Sequence, residues 1–320
     1  LLKDTGVIFI SIDDNEIAQL RLLCSEIFKE NNALPIFTRV TKKSSSSGNY
    51  FSPSTDYILS YSVVENSPPY FFINLTEEQK HRYNKKDKNG LYQEIGLYQA
   101  ALKHGGSRYP ITCPDGMKVI TPNNIPWRWN EKTFLVAKKE DKIVFKKTKK
   151  SPLINCTTGK RANWNIYTKS YLQERLKVGL TPKNFNDIFQ NTLGSQELKR
   201  LGIKFEFPKP TNLIKFLVSF FPKNITVLDF FAGSGTTAHA VLSLNKQDGG
   251  DRKFVLCTNN ENNICTSVCY RRIKKVMGGY LDLISKKKIA GLGGNLKYFK
   301  TEFVDAEPTD KNKTKLTIKA

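Results

Sequence analysis

The stretch Val227-Leu-Asp-Phe-Phe-Ala-Gly-Ser-Gly-Thr-Thr237 constrains the fold more than any other part of this 320-residue chain. An apolar run opening at Ile225 ends in Asp229, turns through Gly233-Ser234-Gly235, and continues from Thr236 to Leu244 in a sequence suited to a helix. Glycines lack a Cβ, so the backbone turns sharply there and a ligand approaches it closely. The stretch predicts a buried strand, a tight turn and a helix, with the polar part of a nucleotide-like group held at the turn. Arg252-Lys-Phe-Val-Leu-Cys257 follows as the next predicted strand.

Read only as glycines, Gly233-x-Gly235-x-x-Ala238 also fits a dinucleotide fingerprint. Two acids separate the readings. Asp229 closes its strand just before the turn, where a carboxylate suits an ammonium such as that of a methionyl group and repels a pyrophosphate. Glu261 comes after the next strand, 26 residues beyond Gly235, where doubly wound folds place the acid that holds ribose hydroxyls. Together they favour S-adenosylmethionine over NAD.

A second strand and helix open the chain. Gly6-Val-Ile-Phe-Ile-Ser-Ile12 is apolar and β-branched, which predicts a strand buried on both faces as in a parallel sheet. Ile17, Leu20, Leu23, Cys24, Ile27 and Phe28 then recur at helical spacing, with Asp14 as candidate N-cap. Between the two pieces lies a region of different character, bounded by the polar run TKKSSSSG at 41–48 and the proline-marked FPKP at 207–210. The expected organisation is one doubly wound α/β sheet interrupted by a mixed α+β insert. Residues 1–40 are the first part of the core, 41–200 the insert, 201–300 the second part of the core and 301–320 a C-terminal extension. Within the insert, 56–64 and 133–144 are strand candidates, 109–126 carries turn chemistry, and 170–177 is a predicted helix.

The chain has 51 Lys and Arg against 29 Asp and Glu, a net charge of +22, which points to a polyanionic partner. The balance is −2 over 1–40, +14 over 41–200 and +10 over 201–320. In the middle region basic and aromatic residues interleave: Lys42 and Lys43, Arg82-Tyr83 with Lys85, Lys86 and Lys88, Trp127-Arg128-Trp129, the run from Lys146 to Lys150, and Lys160-Arg161 before Trp164. Such groups neutralise phosphates and read base edges or unstacked bases, although Trp127 and Trp129 also suit a core.

Six cysteines without a C-x-x-C pair, and three histidines, predict no metal site and a reduced, cytoplasmic protein. His81, His104 and His239 fit no nucleophile or metal pattern. No apolar run reaches the roughly 20 residues that span a bilayer. The opening LLKDTGVIFISIDD has the character of a domain interior, so the chain is expected to be a fragment.

At the level of whole segments, DFFAGSGTTAHAVLSLN followed by GGDRKFVLCTNNE resembles motif I and the next strand of the β-class amino-methyltransferases, specifically the modification subunit of Type III restriction systems. LLKDTGVIFISIDDNEIAQLRLLCSEIF resembles the family segment just after its catalytic motif. RYPITCPDGMKVITPNNIPWRWNEKTF resembles its target-recognition region, and NTLGSQELKRLGIKFEFPKPTNLI the lead back into the sheet. ICTSVCYRRIKKV and NLKYFKTEFV resemble the family segments beyond the strand after motif I.

The resemblance implies a circularly permuted, Rossmann-like sheet with the catalytic half first, then the target-recognition insert, then the cofactor loop. It implies that Phe231, Ala232, Gly233, Ser234, Gly235 and Thr236 line S-adenosylmethionine, with Asp229 at the methionine end and Glu261 at the ribose. Lys209-Pro210 resembles the Lys-Pro element flanking that pocket, though it also suits the start of a helix. The implied activity is adenine N6 methylation of double-stranded DNA with the adenine flipped out. A second modification subunit in a homodimer, and a restriction subunit with ATP-dependent helicase and nuclease activity, are the implied partners. The loop alone fits a cytosine-N4 or RNA methyltransferase equally well. A non-catalytic DNA-binding specificity remnant, or half of a split methyltransferase, is the reading from another class.

Amino-methyltransferases of this class use Asp-Pro-Pro-Tyr, whose carboxylate and backbone carbonyl orient the target amine while the ring stacks on the flipped base. That motif is not in this sequence, and the family places it upstream of the segment that opens the chain. Ser67-Pro68-Pro69-Tyr70 is a look-alike: it follows the first strand and helix instead of preceding them, and is expected to be a turn with an exposed ring. On this reading the chain by itself is inactive or severely impaired.

Overall fold

Strand β1, Val7–Ile12, pairs antiparallel with β3, Thr55–Ser62, from Val7 opposite Ser62 to Ile12 opposite Tyr57. Helix α1, Ile17–Phe28, and β2, Phe37–Val40, lie between them in sequence. The computed structural model describes residues 2–44, 49–65, 67–99 and 107–300. The expected 301–320 extension, residues 45–48 of the polar linker, Leu1 and His104 lie outside the described residues.

The chain divides into two units, one of residues 1–69 with 184–320 and the other of residues 70–183. The second unit contains α2 (Glu77–His81), β4 (Lys85–Asp87), β5 (Gly90–Gly96), β6 (Ile111–Thr112), β7 (Lys118–Ile120), α3 (Glu131–Lys139), β8 (Ile143–Lys147), β9 (Ile154–Asn155), β10 (Trp164–Tyr171) and α4 (Leu172–Val178). The chain then returns to the first unit with β11 (Phe185–Asn186), α5 (Asn191–Leu201), α6 (Thr211–Val218), β12 (Thr226–Asp229), α7 (Thr236–Asp248), β13 (Lys253–Leu256) and α8 (Tyr270–Gly278).

In the first unit, one sheet has the order β1-β3-β2-β11, and β12 and β13 form a parallel pair. Cys24 of α1 packs with Leu59 and Tyr61 of β3, because the helix turns its Ile17, Leu20, Cys24 and Phe28 stripe inward. A second core joins Leu198 and Leu201 of α5, Ala238 and Leu242 of α7, and Ile273 and Val276 of α8. These three helices therefore share one apolar centre beside the β12–β13 pair.

Three expectations need correction. β1 is not a doubly buried parallel strand: it is half-buried and hydrogen-bonds antiparallel to β3 alone among the described strands. Asp14 does not cap α1. Glu16 holds that position without a side-chain bond, while the Asp13 carboxylate accepts from Asn15 N. Residues 133–144 are not a strand but mainly α3. Asn130 accepts from Thr133 N at 2.8 Å, Glu131 starts the helix, Lys138 and Lys139 end it, and Phe134 and Ala137 bury one face. β2 shares with β3 the sheet that β11 joins, and the two units divide at 69/70 and 183/184.

The second unit has a four-stranded sheet of order β4-β5-β10-β8 and a three-stranded sheet of order β6-β7-β9. Its core is aromatic, and Trp127 is 0% exposed with its indole N–H donating to Tyr109 O at 2.7 Å. Trp127 is thus a core residue; Trp129 is only partly buried against the same cluster.

Candidate functional site

The carboxyl ends of β12 and β13 are tied together past the strands themselves. Cys257 N donates to Asp229 O at 2.8 Å, and Ala232 N donates to Cys257 O at 3.2 Å. Everything from Asp229 to Gly235 is therefore presented at the carboxyl edge of a parallel pair, where open α/β sheets bind ligands. Glu261 lies in a short 3₁₀ turn after β13, exposed, with Asn259 Nδ2 donating to its Oε2 at 3.3 Å.

Asp229 spans the turn with both oxygens. Its Oδ1 accepts from Phe231 N at 3.0 Å, and its Oδ2 accepts from Thr237 Oγ1 at 2.6 Å. Gly235, at φ 75°, is the N-cap of α7, and Gly235 N donates to Ala232 O at 2.7 Å. A Cβ on Gly235 would sit 3.1 Å from Cys269 Sγ and 3.3 Å from Cys269 O, so both conformation and crowding demand glycine. Phe231 projects outward, 93% exposed, and offers a bare ring face beside the turn.

Ser234 and Thr236 face the other way. Their hydroxyls are buried 3.1 Å apart, and Arg272 Nη1 donates to each at 3.0 Å. Arg272 is 0% exposed, and its Nη2 donates to Glu197 Oε2 at 3.0 Å, to Thr211 Oγ1 at 2.9 Å and to His239 Nδ1 at 3.2 Å. Burial, with the charges of Arg272 and Lys215, pushes the His239 imidazole pKa down to about 3, so the ring is neutral and Nδ1 accepts. Thr211 Oγ1 in turn donates to the Glu197 carboxylate.

Lys209 reaches this site through its backbone. Thr236 Oγ1 donates to Lys209 O at 3.3 Å, whereas Lys209 Nζ pairs with Asp56 Oδ2 at 2.7 Å. Pro210 is the N-cap residue of α6, so the Lys-Pro dipeptide both starts a helix and flanks the turn. Gly194 of α5 makes room for it: a Cβ there would lie 2.4 Å from Pro208 O.

The turn thus gathers Asp229, Phe231, Ala232, Gly233, Ser234, Gly235, Thr236 and the Lys209 backbone, with Glu261 following the neighbouring strand. The Lys209 ammonium and the Ser234 and Thr236 hydroxyls are committed elsewhere. Sequence reasoning missed Arg272, Glu197, Thr211 and His239, which are far apart in the chain and match no local pattern. Ser67-Pro68-Pro69-Tyr70 lies in an irregular segment after β3, and Tyr70 is 84% exposed.

A profile of the DNA methylase family matches residues 1–269, from the first strand through the glycine turn to the start of α8. The chain belongs to the DNA methylase family. It is 31% identical to the StyLTI Mod subunit of a Type III restriction-modification enzyme from Salmonella typhimurium, over 93% of this chain and 43% of that one. It is 30% identical to the Type II methyltransferase M.KpnI of Klebsiella pneumoniae, over 85% of this chain and 66% of the other. With the EcoP15I Mod subunit of Escherichia coli it shares 27% identity over 80% of its length and 43% of that protein. The chain therefore spans about two fifths of the length of the Mod subunits it matches.

In this DNA methylase chain the basic excess is concentrated in the second unit, which has 23 Lys and Arg against 9 Asp and Glu. Part of that charge is internal. Lys85 and Lys146 both pair with Glu94, and Lys169 pairs with Asp87 at 2.8 Å and Asp141 at 3.0 Å. Lys86, Lys88, Lys149, Lys150, Lys160 and Arg161 are exposed and pair with no described acid. A cavity of about 500 Å³ in this unit is lined by Arg82, Tyr83, Arg128, Trp129, Lys169 and Arg175 among others, and does not include the glycine turn. No helix among the described residues is long and apolar enough to cross a membrane.

Proposed function

We propose that this chain is the cofactor-binding and DNA-recognition part of an adenine-N6 DNA methyltransferase, the modification subunit of a Type III restriction-modification system. One observation carries the reading: a family match running through residues 1–269, with Type III Mod subunits among the relatives, coincides with a glycine turn at the carboxyl edge of a parallel strand pair.

The residues fit S-adenosylmethionine. Gly233 and Gly235 let it approach the backbone, the Asp229 carboxylate faces a developing or permanent cation favourably, Phe231 offers a stacking face, and the exposed Glu261 carboxylate can accept from ribose hydroxyls. The donor supplies an activated methyl group; this chain's residues hold and orient it. In this reading the sheet is circularly permuted, the second unit is the target-recognition insert, and the flipped adenine belongs to double-stranded DNA. A homodimer of modification subunits and a restriction subunit with ATP-dependent helicase and nuclease activity complete the system.

Calorimetric titration with S-adenosylmethionine, followed by transfer of labelled methyl groups to DNA, tests the proposal. Binding of the donor is expected. Because Asp-Pro-Pro-Tyr is absent from these 320 residues, transfer is expected only when a chain carrying that motif is supplied. Adenine as the methylated base, against cytosine or RNA, separates the assignment from its closest rival. A wild-type chain that binds DNA but no donor would leave the specificity-remnant reading instead.

A further inference from the structure

The glycine turn rests on a buried polar cluster that no reading of its ligand face requires. Arg272 of α8 enters from behind, and one guanidinium joins three separate pieces of chain: the turn and first turn of α7 through Ser234, Thr236 and His239, α5 through Glu197, and the start of α6 through Thr211. A planar guanidinium presents its donors in a rigid fork, so the acceptors it binds are fixed relative to one another. Its Nε has no hydrogen-bond partner among the described residues, so the cluster sacrifices one buried donor to keep the other contacts.

Burying a full positive charge beside one carboxylate is a poor route to stability, since apolar residues of similar volume do as well or better. The arrangement is better suited to defining one geometry. Two elements that border the ligand face depend on it. The turn cannot rotate Ser234 or Thr236 outward without stripping Arg272 Nη1 of an acceptor. The Lys209-Pro210-Thr211 segment is held by Thr211, by Glu197 accepting from Thr211 N at 3.1 Å, and by Thr236 donating to Lys209 O.

We infer that Arg272 is a positioning residue for the methyl-donor site: with Glu197 and Thr211 it presets the 233–237 turn and the Lys209-Pro210 element in one mutual geometry before the donor arrives. It touches neither donor nor DNA, and acts through Ser234 and Thr236. The inference rests on the donor reading above for what the turn binds, but not for the presetting itself.

Two variants test it on the full 320-residue chain. Arg272→Lys retains the charge and loses the fork; Ser234→Ala with Thr236→Val leaves Arg272, Glu197, Thr211 and His239 in place and removes the turn's two acceptors together with the Thr236 bond to Lys209 O. The readouts are amide hydrogen exchange at Gly235 and His239, whose N–H groups bond to Ala232 O and Gly235 O, and donor affinity measured well below the melting temperature. Both variants are expected to exchange about tenfold faster at those amides and to bind the donor about tenfold more weakly, equivalent to about 1.4 kcal/mol each. Folded variants whose turn amides exchange as in the wild type overturn the inference, and place Arg272 as a packing residue only. A wild-type chain that binds no donor, with exchange still accelerated in both variants, sinks the donor reading while upholding the presetting.

Discussion

Thr237 Oγ1 donates to Asp229 Oδ2 at 2.6 Å, closing the glycine turn from its helix end to its strand end. The same carboxylate accepts from Phe231 N, so the acid at the end of β12 is oriented before any ligand arrives. A hydrogen bond to a charged group contributes roughly 1.5–3 kcal/mol. Replacing Asp229 with Ala together with Gly233→Trp should abolish calorimetric binding of S-adenosylmethionine, one change removing the carboxylate and the other filling the cradle. Thr237→Val, which releases Oδ2 of the carboxylate without removing the group, should weaken binding by about tenfold. Equal affinity in all three proteins would show that the donor binds elsewhere.

Gly235 sits at φ 75° against Cys269. Alanine there meets a strained conformation and a separation of 3.1 Å from Cys269 Sγ, so Gly235→Ala should cost roughly 1–3 kcal/mol in denaturant unfolding. Gly159, also at positive φ but with open space around it, should lose less on the same substitution, and the difference between the two measures the crowding at the turn.

Asp56 receives both Arg39 Nη2 at 2.5 Å and Lys209 Nζ at 2.7 Å. Burial alone would raise its pKa, but the hydrogen bonds and charges of Lys209 and then Arg39 outweigh it and hold the carboxyl below the usual carboxylate range. A lowered folded-state pKa means that the stabilisation is present above the unfolded value of about 3.9 and is lost as pH falls below it. Urea unfolding between pH 7 and pH 3 should therefore show a smaller acid loss in Asp56→Asn than in the wild type. An identical acid loss would remove Asp56 from the account of that pH dependence.

Lys149, Lys150, Lys160 and Arg161 are exposed and unpaired with described acids in the second unit. If they neutralise DNA phosphates, changing all four to Gln should weaken duplex binding across unrelated sequences. The slope of log affinity against log salt should flatten by about 0.9 for each phosphate no longer neutralised. Lys85→Gln, whose ammonium is spent on Glu94 at 2.5 Å, should have a much smaller effect on that slope. Fluorescence anisotropy across a series of salt concentrations reads both slopes directly.

The β12, turn, α7 and β13 series was legible because each element is specified locally. Apolar runs bounded by an acid and by glycines admit few backbone paths, and the helix after Thr236 runs on to Asp248 where Gly249 stops it. α4 over 172–178 was equally local. Residues 133–144 mislead because Phe134, Leu135 and Val136 have strand-like composition, while the decisive signal is the Asn130 cap just outside the stretch. The residues of β1 specify a strand but not its antiparallel pairing, since composition carries no information on the direction of a partner about 50 residues away.

By itself the sequence determined where the glycine turn lies, which residues must be small there, and that the basic excess is concentrated between the two segments with strand-and-helix patterning. Those are properties of spacing, side-chain size and summed charge. Only the tertiary structure decided that Ser234 and Thr236 turn inward, that Lys209 offers its carbonyl to the turn and its ammonium to Asp56, and that Trp127 is core. It alone brought Glu197, Thr211, His239 and Arg272 together. Arg272 is buried with acceptors that distant chain segments converge to supply, and that convergence is a consequence of packing, with no counterpart in the residues adjacent to it in sequence.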